Sequence, residues 1–242
     1  MNDTVTAANK RERGEQRVAV VTGGSGVIGS AIVTALREAG LNALSLDREG
    51  DVVGDLSSEE STRSAAAQVL ERYGRCDVLV HCAAAFDHVV LADVDVSTWR
   101  HVQSVNVESV LWLSQAFTPG MAERGFGRLI LITSNTVWMP PNPAQLPYVT
   151  SKAAELGMMR VLARTLGPSG ISVTAVAPGL TDTPGSRNAY SDERFEAVVA
   201  QQALARRLVP EDTAAAVTFL ASDNAAAMTG QVLCVDGGLV MR

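Results

Sequence analysis

The stretch Val18-Ala-Val-Val-Thr-Gly-Gly-Ser-Gly-Val-Ile-Gly29 decides the fold of this 242-residue chain. A β-branched run stops at glycines, and a helical pattern follows from about residue 28 to 39. Glycines at such a junction let the backbone approach a pyrophosphate closely, and the helix N-terminus offers free N–H groups. The stretch therefore predicts a strand–turn–helix unit that binds a nucleotide through Gly23, Ser25, Gly26 and Ile28.

The rest of the chain alternates apolar strand patterns with helical patterns. Strand patterns begin near residues 42, 76, 127, 170 and 230, and helical patterns cover about 57–73, 97–117, 147–166 and 210–222. Ser57 or Ser58 is the predicted N-cap of the second helix, with Glu60 as its capping-box partner. Alternation of this kind predicts βαβ units. We expect one α/β domain over residues 17–242, a Rossmann-like, three-layer, doubly wound parallel sheet of about seven strands.

Composition excludes several classes of protein. The net charge of −6 provides no basic surface for nucleic acid, and no apolar run reaches the ~18 residues that span a bilayer. Residues 1–16 are polar and lack the apolar core of a secretion signal, so we expect a mobile tail on a cytoplasmic protein without a membrane partner. Neither the three cysteines nor the three histidines have the spacing of metal ligands, so no metal site is predicted.

An acidic residue follows the second strand pattern. Asp47 lies about 20 residues beyond the glycine turn, where a carboxylate can accept the ribose hydroxyls of NAD and repel the 2′-phosphate of NADP. Arg48 follows directly and could instead bind that phosphate. Because the glycine turn contains no basic residue, the sequence favours NAD, with NADP as the less favoured alternative.

Motifs further along the chain resemble those of the short-chain dehydrogenase/reductase family from about Val18 to the C-terminus. Tyr148-Val-Thr-Ser-Lys152 resembles the Tyr-x-x-x-Lys signature, Ser134 matches the catalytic serine, and Asn106 matches the active-site asparagine. The resemblance implies a catalytic set of Asn106, Ser134, Tyr148 and Lys152. It also implies that the cofactor contacts Tyr148 and Lys152 and a further set: Asp47, Arg48, Asp55, Leu56, Cys82, Ala83, Ala84, Pro178, Gly179, Leu180 and Thr183.

Three features depart from the family pattern. Val27 occupies the position of the middle glycine, so the turn fits Gly23, Gly26 and Gly29 instead. His81-Cys82-Ala83-Ala84 replaces the usual Asn-Asn-Ala-Gly after the fourth strand. One additional residue separates Ser134 from Tyr148, which is expected to bulge the substrate loop.

The resemblance also implies the chemistry. Tyr148 and Lys152 share one helical face, and we expect the lysine and the nicotinamide to favour the phenolate. A fall of about 3 units in the tyrosine pKa requires roughly 4 kcal/mol of differential stabilisation. Tyr148 then acts as general acid or base, Ser134 holds the substrate oxygen, and Asn106 keeps a water that connects Lys152 to solvent.

The substrate is less constrained. Phe86, Trp138, Met139 and Leu146 are expected to face it, which suggests an apolar or cyclic secondary alcohol or ketone, with 181–207 as a mobile lid. The alternatives are a 3-oxoacyl-[acyl-carrier-protein] reductase, for which Arg124 is the one basic residue expected near the site, and a non-catalytic nucleotide-binding scaffold. The family resemblance implies a homotetramer built on the 97–117 and 147–166 helices.

Overall fold

The computed structural model describes residues 16–241, so most of the predicted tail lies outside the described residues. Within these residues, seven parallel strands form one sheet in the order β3-β2-β1-β4-β5-β6-β7. Their bounds are β1 Val18–Thr22, β2 Asn42–Asp47, β3 Val52–Val53, β4 Val78–His81, β5 Gly127–Ile132, β6 Ile171–Pro178 and β7 Val232–Val235. The predicted doubly wound architecture is confirmed, and the two-residue β3 is an addition to it.

Eight α-helices connect and flank the strands within residues 16–241. They are α1 Val27–Glu38, α2 Glu59–Tyr73, α3 Val96–Gln103, α4 Ser109–Glu123, α5 Leu146–Leu166, α6 Pro184–Ala189, α7 Asp192–Val199 and α8 Pro210–Ala221. Ser58 caps α2 and accepts from the Ser61 N–H, which makes Ser61 the third helical residue. The predicted capping box with Glu60 is therefore wrong. No helix of residues 16–241 combines the length and apolarity that crossing a bilayer requires.

Two apolar layers enclose the sheet. Successive residues of a strand point to opposite faces, so Val18 and Val20 of β1 join one layer and Ala19 and Val21 join the other. The first layer contains α2, α4 and α5, and the second contains α1 and α8. Burial on both faces explains why β1 is a continuous apolar run.

A buried ionic cluster lies at the amino-terminal ends of the strands, which we call the amino edge of the sheet. Asp77 is fully buried and contacts Arg75 at 2.7 Å and Arg124 at 3.2 Å, while the Val18 N–H donates to the same carboxylate. Arg124 also donates to the Cys76 carbonyl oxygen at the start of β4. Arg124 was expected near the active site, and that expectation is wrong, because the guanidinium stabilises the opposite edge of the sheet.

The predicted 97–117 helix contains a π-helical turn. Ser104–Glu108 forms this turn between α3 and α4, and Asn106 lies at its centre. A π turn holds one additional residue and disturbs the regular hydrogen-bond ladder, and it is frequent at functional sites. A 3.6-residue period does not reveal such an insertion, so the sequence predicted one uninterrupted helix.

Candidate active site

A cavity of about 1010 Å³ opens at the carboxyl ends of the strands. It lies beside β1 and β4, where the strand order reverses, which is the usual ligand crevice of an open α/β sheet. The predicted catalytic and cofactor residues that line it are Gly23, Gly26, Ile28, Asp47, Arg48, Asp55, Leu56, Cys82, Ala83, Ala84, Ser134, Tyr148, Lys152, Pro178, Gly179, Leu180 and Thr183. Ser25 and Asn106 are not among its lining residues.

The backbone packs so closely at two glycines of the turn, Gly23 and Gly29, that neither position has room for a side chain. Gly23 has a φ of +64°, and a Cβ there would lie 2.8 Å from the Cα of Ala83. A Cβ on Gly29 would lie 2.1 Å from the Gly23 carbonyl oxygen. Helix α1 begins at Val27 directly behind this turn and has no side-chain cap, and Val27, Ile28 and Gly29 of its first turn line the cavity. A helix N-terminus behind a turn of this kind is a suitable anion site, and pyrophosphate binding here stays a prediction.

The Asp47 carboxylate is positioned by the turn itself. It accepts from the Ser25 N–H at 3.2 Å and the Arg48 N–H at 2.7 Å, and it lines the cavity. The Ser25 hydroxyl donates to the Glu49 carbonyl oxygen, which directs it away from the cavity. Ser25 therefore shapes the turn through its backbone, and its side chain is not offered to a ligand.

Hydrogen bonds also fix the segments that follow β4 and β3. The Thr22 hydroxyl accepts from the N–H groups of Cys82 and Ala83, at 3.0 and 3.1 Å, so these two donors are already occupied. The Asp55 carboxylate accepts from the N–H and hydroxyl of Ser57, and these bonds lower its pKa. Asp55 thus reaches the cavity with one carboxylate oxygen already paired.

Asn106 acts on the backbone around the cavity. Its side-chain oxygen accepts from the Ala85 N–H at 2.7 Å, and its amide nitrogen donates to the Ala85 carbonyl oxygen and to the Ser151 hydroxyl. Ser151 in turn donates to the Tyr148 carbonyl oxygen. The fully buried Asn106 therefore joins the π turn, the loop after β4 and helix α5.

Tyr148 and Ser134 lie at the centre of the cavity. Both side chains line it, and Ser134 Oγ accepts from the Thr136 hydroxyl at 2.9 Å and from the Thr136 N–H at 3.2 Å. Desolvation raises the pKa of Tyr148 above its ordinary value, and Lys152 opposes that rise. The predicted depression of the tyrosine pKa is therefore not seen in the protein alone.

Lys152 pairs with Glu155, a residue that the sequence patterns did not single out. Its ammonium donates to Glu155 Oε1 and to the Ile132 carbonyl oxygen, both at 2.7 Å. Lys152 is 1% exposed and Glu155 is fully buried. Burial raises the pKa of Glu155 to about 7, against the opposing effect of Lys152. Burial alone would lower the Lys152 pKa, but the carboxylate outweighs it and the net direction is upward.

His81, which departs from the family pattern, is also buried. His81 Nε2 lies 2.7 Å from the Ser109 hydroxyl, which donates to the Val105 carbonyl oxygen in the π turn. Burial, with a smaller contribution from Lys152, lowers the pKa of His81 to about 3, so the ring is neutral at physiological pH. His81 therefore joins β4 to the helix of Asn106.

Aromatic rings form the outer part of the cavity. Phe86 meets Tyr148 edge-on with ring centroids 4.5 Å apart and meets His88 in the same way. Met139 lines the cavity beside them. Trp138 instead packs against the core layer of α4 and α5, and Leu146 is exposed outside the cavity. The sequence predicted that Trp138 and Leu146 face the substrate, but neither of them lines the cavity.

Polar groups from the 181–207 segment complete this end. Tyr190 accepts from the Gln145 amide nitrogen at 3.1 Å, and the buried Gln145 Oε1 has no hydrogen-bond partner among residues 16–241. The sequence predicted this segment only as a lid, whereas it contains two helices, α6 and α7. Arg207 pairs with Asp192 at 2.9 Å and Glu196 at 2.8 Å.

Comparison with known proteins decides the family. The sequence model of the family described as "Enoyl-(Acyl carrier protein) reductase" matches residues 24–240, nearly the whole chain. The chain belongs to the short-chain dehydrogenase/reductase family. The sequence-based assignment is thereby confirmed, and this short-chain dehydrogenase/reductase is an NAD(P)-dependent oxidoreductase that acts on CH–OH groups.

Relatives of this short-chain dehydrogenase/reductase differ in their substrates. D-xylose 1-dehydrogenase of Caulobacter vibrioides is 36% identical, with 90% of this chain and 94% of that protein covered. The 3-oxoacyl-[acyl-carrier-protein] reductase of Vibrio cholerae is 32% identical, with 94% and 98% covered. A solved structure titled as a putative NAD(P)-dependent gluconate 5-dehydrogenase of Beutenbergia cavernae, with bound NADP, has a TM-score of 0.86 and 33% identity and covers 92% of this chain and 96% of that one.

Proposed function

We propose that this protein interconverts an alcohol and a carbonyl group on a small cyclic substrate. The alcohol is a secondary alcohol whose oxidised form is a ketone, or a CH–OH group of the ring itself whose oxidised form is the corresponding C=O group. The observation that carries the proposal is the position of Tyr148. Its ring separates the aromatic outer end of the cavity from Lys152, whose ammonium lies 5.9 Å from the ring centroid. An acid–base group at this boundary reaches both a substrate oxygen and the cofactor end of the cavity.

The proposed chemistry assigns each proton to a named atom. In oxidation, the Tyr148 phenolate oxygen takes the hydroxyl proton of the substrate, and in reduction the phenol returns it. Ser134 Oγ holds the substrate oxygen beside it. Lys152 supplies positive charge that favours the phenolate. A bound nicotinamide cofactor would accept or supply the hydride.

Asn106 has a positioning role in this proposal. Its amide holds the Ala85 backbone and the Ser151 hydroxyl, so it fixes the chain before Phe86 and the first turn of α5 together. The expected water between Asn106 and Lys152 stays a prediction.

The cofactor would lie along the glycine turn, with Asp47 and Arg48 at its adenosine end. We propose a preference for NAD, because the two N–H donors that hold the Asp47 carboxylate leave acceptor capacity toward ribose hydroxyls. The related structure contains NADP, so the comparison with relatives gives no reason to place NADP below NAD. The preference therefore depends on the balance between Asp47 and the exposed Arg48.

Asp47→Ala is expected to reverse this preference. The variant loses an acceptor for the ribose and a negative charge that repels a 2′-phosphate, while Arg48 remains. We expect the Kd of NAD to rise about tenfold, equivalent to ~1.4 kcal/mol, and the Kd of NADP to fall or stay constant. Titration of both cofactors by protein fluorescence tests this. A greater loss for NADP than for NAD would reverse the assignment.

The outer cavity suits a ring that carries hydroxyl groups. Phe86 and Met139 offer apolar surface to one face of a ring, whereas Tyr190 lines the same end of the cavity and carries a hydroxyl group that can bond to a substrate hydroxyl. His88 and Arg194 add polar groups to the same lining. Of the apolar or cyclic substrates that the sequence suggested, the combination favours a cyclic polyol or sugar.

A substrate panel tests the proposed function. The panel contains pentoses, hexoses, alicyclic alcohols and 3-oxoacyl thioesters, each with NAD and NADP and in both directions. We expect kcat/KM to be at least about tenfold higher for a hydroxylated ring than for its deoxygenated analogue, since a hydrogen bond to a charged group such as Arg194 contributes about 1.5–3 kcal/mol. Turnover confined to unsubstituted alcohols would contradict the substrate class, and turnover of none would contradict the function.

The second candidate function is reduction of 3-oxoacyl groups on an acyl carrier protein. It is favoured by the 32% identical reductase of Vibrio cholerae. The thioester arm of the panel distinguishes it. Closure of 181–207 as a lid, a homotetramer and a cytoplasmic location stay predictions.

A further inference from the structure

Glu155 introduces a negative charge beside the predicted catalytic lysine. Its side chain is 0% exposed, and Oε1 lies 2.7 Å from the Lys152 ammonium. Its second oxygen, Oε2, is buried without a hydrogen-bond partner among the described residues. A buried carboxylate with one unsatisfied oxygen is costly to desolvate, so its presence needs a reason beyond stability.

The surroundings of the pair contain few other charges. Tyr148 lies on the same helix face, one turn before Lys152. The groups that face Tyr148 and Lys152 from the end of β4 are His81, which is neutral, and Cys82, whose pKa burial raises to about 12. Ser134 faces Tyr148 from the end of β5 as a neutral hydroxyl. Among the described residues, Glu155 is thus the one carboxyl group close to the pair, and its ionised form, which predominates above about pH 7, opposes the charge of Lys152 toward Tyr148.

We propose that Glu155 is a positioning residue that anchors the Lys152 ammonium against β5 and partly cancels its charge at Tyr148. Lys152 then has two fixed acceptors, the Glu155 carboxylate and the Ile132 carbonyl oxygen, before any ligand arrives. Charge cancellation leaves the phenol in its protonated form to a higher pH. The inference rests on the proposed acid–base role of Tyr148.

The test is the titration of Tyr148 in Glu155→Gln. Glutamine keeps the shape and an acceptor for Lys152 but removes the negative charge, so the Tyr148 pKa is expected to fall by about one unit. Ultraviolet difference absorbance of the phenolate measures this in the cofactor-free protein, with Tyr148→Phe as the blank. The acid limb of kcat/KM for alcohol oxidation is expected to move to lower pH by the same amount. Glu155→Asp, which retains the charge, is expected to lower kcat without moving the limb.

Asp77→Asn is the matched control. It removes the charge of another fully buried carboxylate, at the opposite edge of the sheet. We expect a lower unfolding temperature and an unchanged Tyr148 titration. If Glu155→Gln does not fold, Glu155→Met, of similar length and without charge, takes its place. Failure of both to fold would assign Glu155 to stability alone and overturn the proposal.

The outcomes separate this inference from the proposed function. Activity that depends on Tyr148, with a titration that Glu155→Gln leaves unchanged, would overturn the role of Glu155 only. Activity that survives in Tyr148→Phe would remove the acid–base role, whereas the phenolate titration would still show whether Glu155 acts on Tyr148.

Discussion

Tyr148→Phe is expected to lower kcat/KM about a thousandfold, because general acid–base catalysis contributes roughly 10²–10⁴ and phenylalanine carries no proton to transfer. The ring itself remains, so its edge-on contact with Phe86 is kept. We therefore expect the Kd of the cofactor to change less than about threefold, within the ~0.7 kcal/mol that one hydrogen bond contributes. Steady-state kinetics and fluorescence titration of NADH together measure both quantities.

Tyr73→Phe is the control for this variant. Tyr73 ends α2 and packs partly buried against the core, away from the cavity lining. It loses the same hydroxyl at a remote position, so kcat/KM should match the unaltered protein. If Tyr148→Phe retained a tenth or more of the activity, another group would have to transfer the proton.

Gly29→Ala is expected to weaken cofactor binding by about a hundredfold, or ~2.8 kcal/mol. The added Cβ would lie 2.1 Å from the Gly23 carbonyl oxygen and 2.9 Å from the Cα of Gly24, so the turn must move. Gly23 cannot move inward, because it already packs against Ala83. Displacement of the turn separates its N–H groups from the pyrophosphate. Calorimetric titration of NAD and NADP measures the loss.

Gly157→Ala is the matched control for this helix glycine. A Cβ there meets no atom of another element within 4 Å, and the residue lies on an exposed part of α5. We expect unchanged cofactor affinity and a gain of roughly 0.5–1 kcal/mol in the free energy of unfolding, the usual advantage of alanine over glycine in a helix. Equal effects of the two substitutions on cofactor affinity would show that the glycine turn does not hold the cofactor.

The strands and the order of the motifs could be predicted because each is encoded locally. Fully buried parallel strands are apolar runs, and glycines follow β1 and β6 at the cavity. Strand β3 has only two residues, and the π turn around Asn106 adds one residue to a helix, so neither has a period that a pattern can detect. Trp138 was misplaced because its apolar side chain fits a core as well as a pocket, and only the packing of α4 and α5 decides between them.

Glu155 could have been recognised from the sequence. It follows Tyr148 and Lys152 on one face of α5, and Leu156 and Met159 continue that face into the core. A carboxylate on a buried helical face requires a cation, and Lys152 three residues earlier is the nearest. The pKa of Tyr148 could not have been predicted, because it depends on desolvation and on distances between elements that are remote in the chain.

The ionic cluster around Asp77 has a consequence for the adaptation of this protein. It lies at the amino edge of the sheet, whereas the cavity lies at the carboxyl edge. Substitutions that strengthen or relax the cluster are therefore expected to change heat tolerance without altering the geometry around Tyr148. A lineage can adjust to a new growth temperature at one edge and to a new substrate at the other, with little conflict between the two.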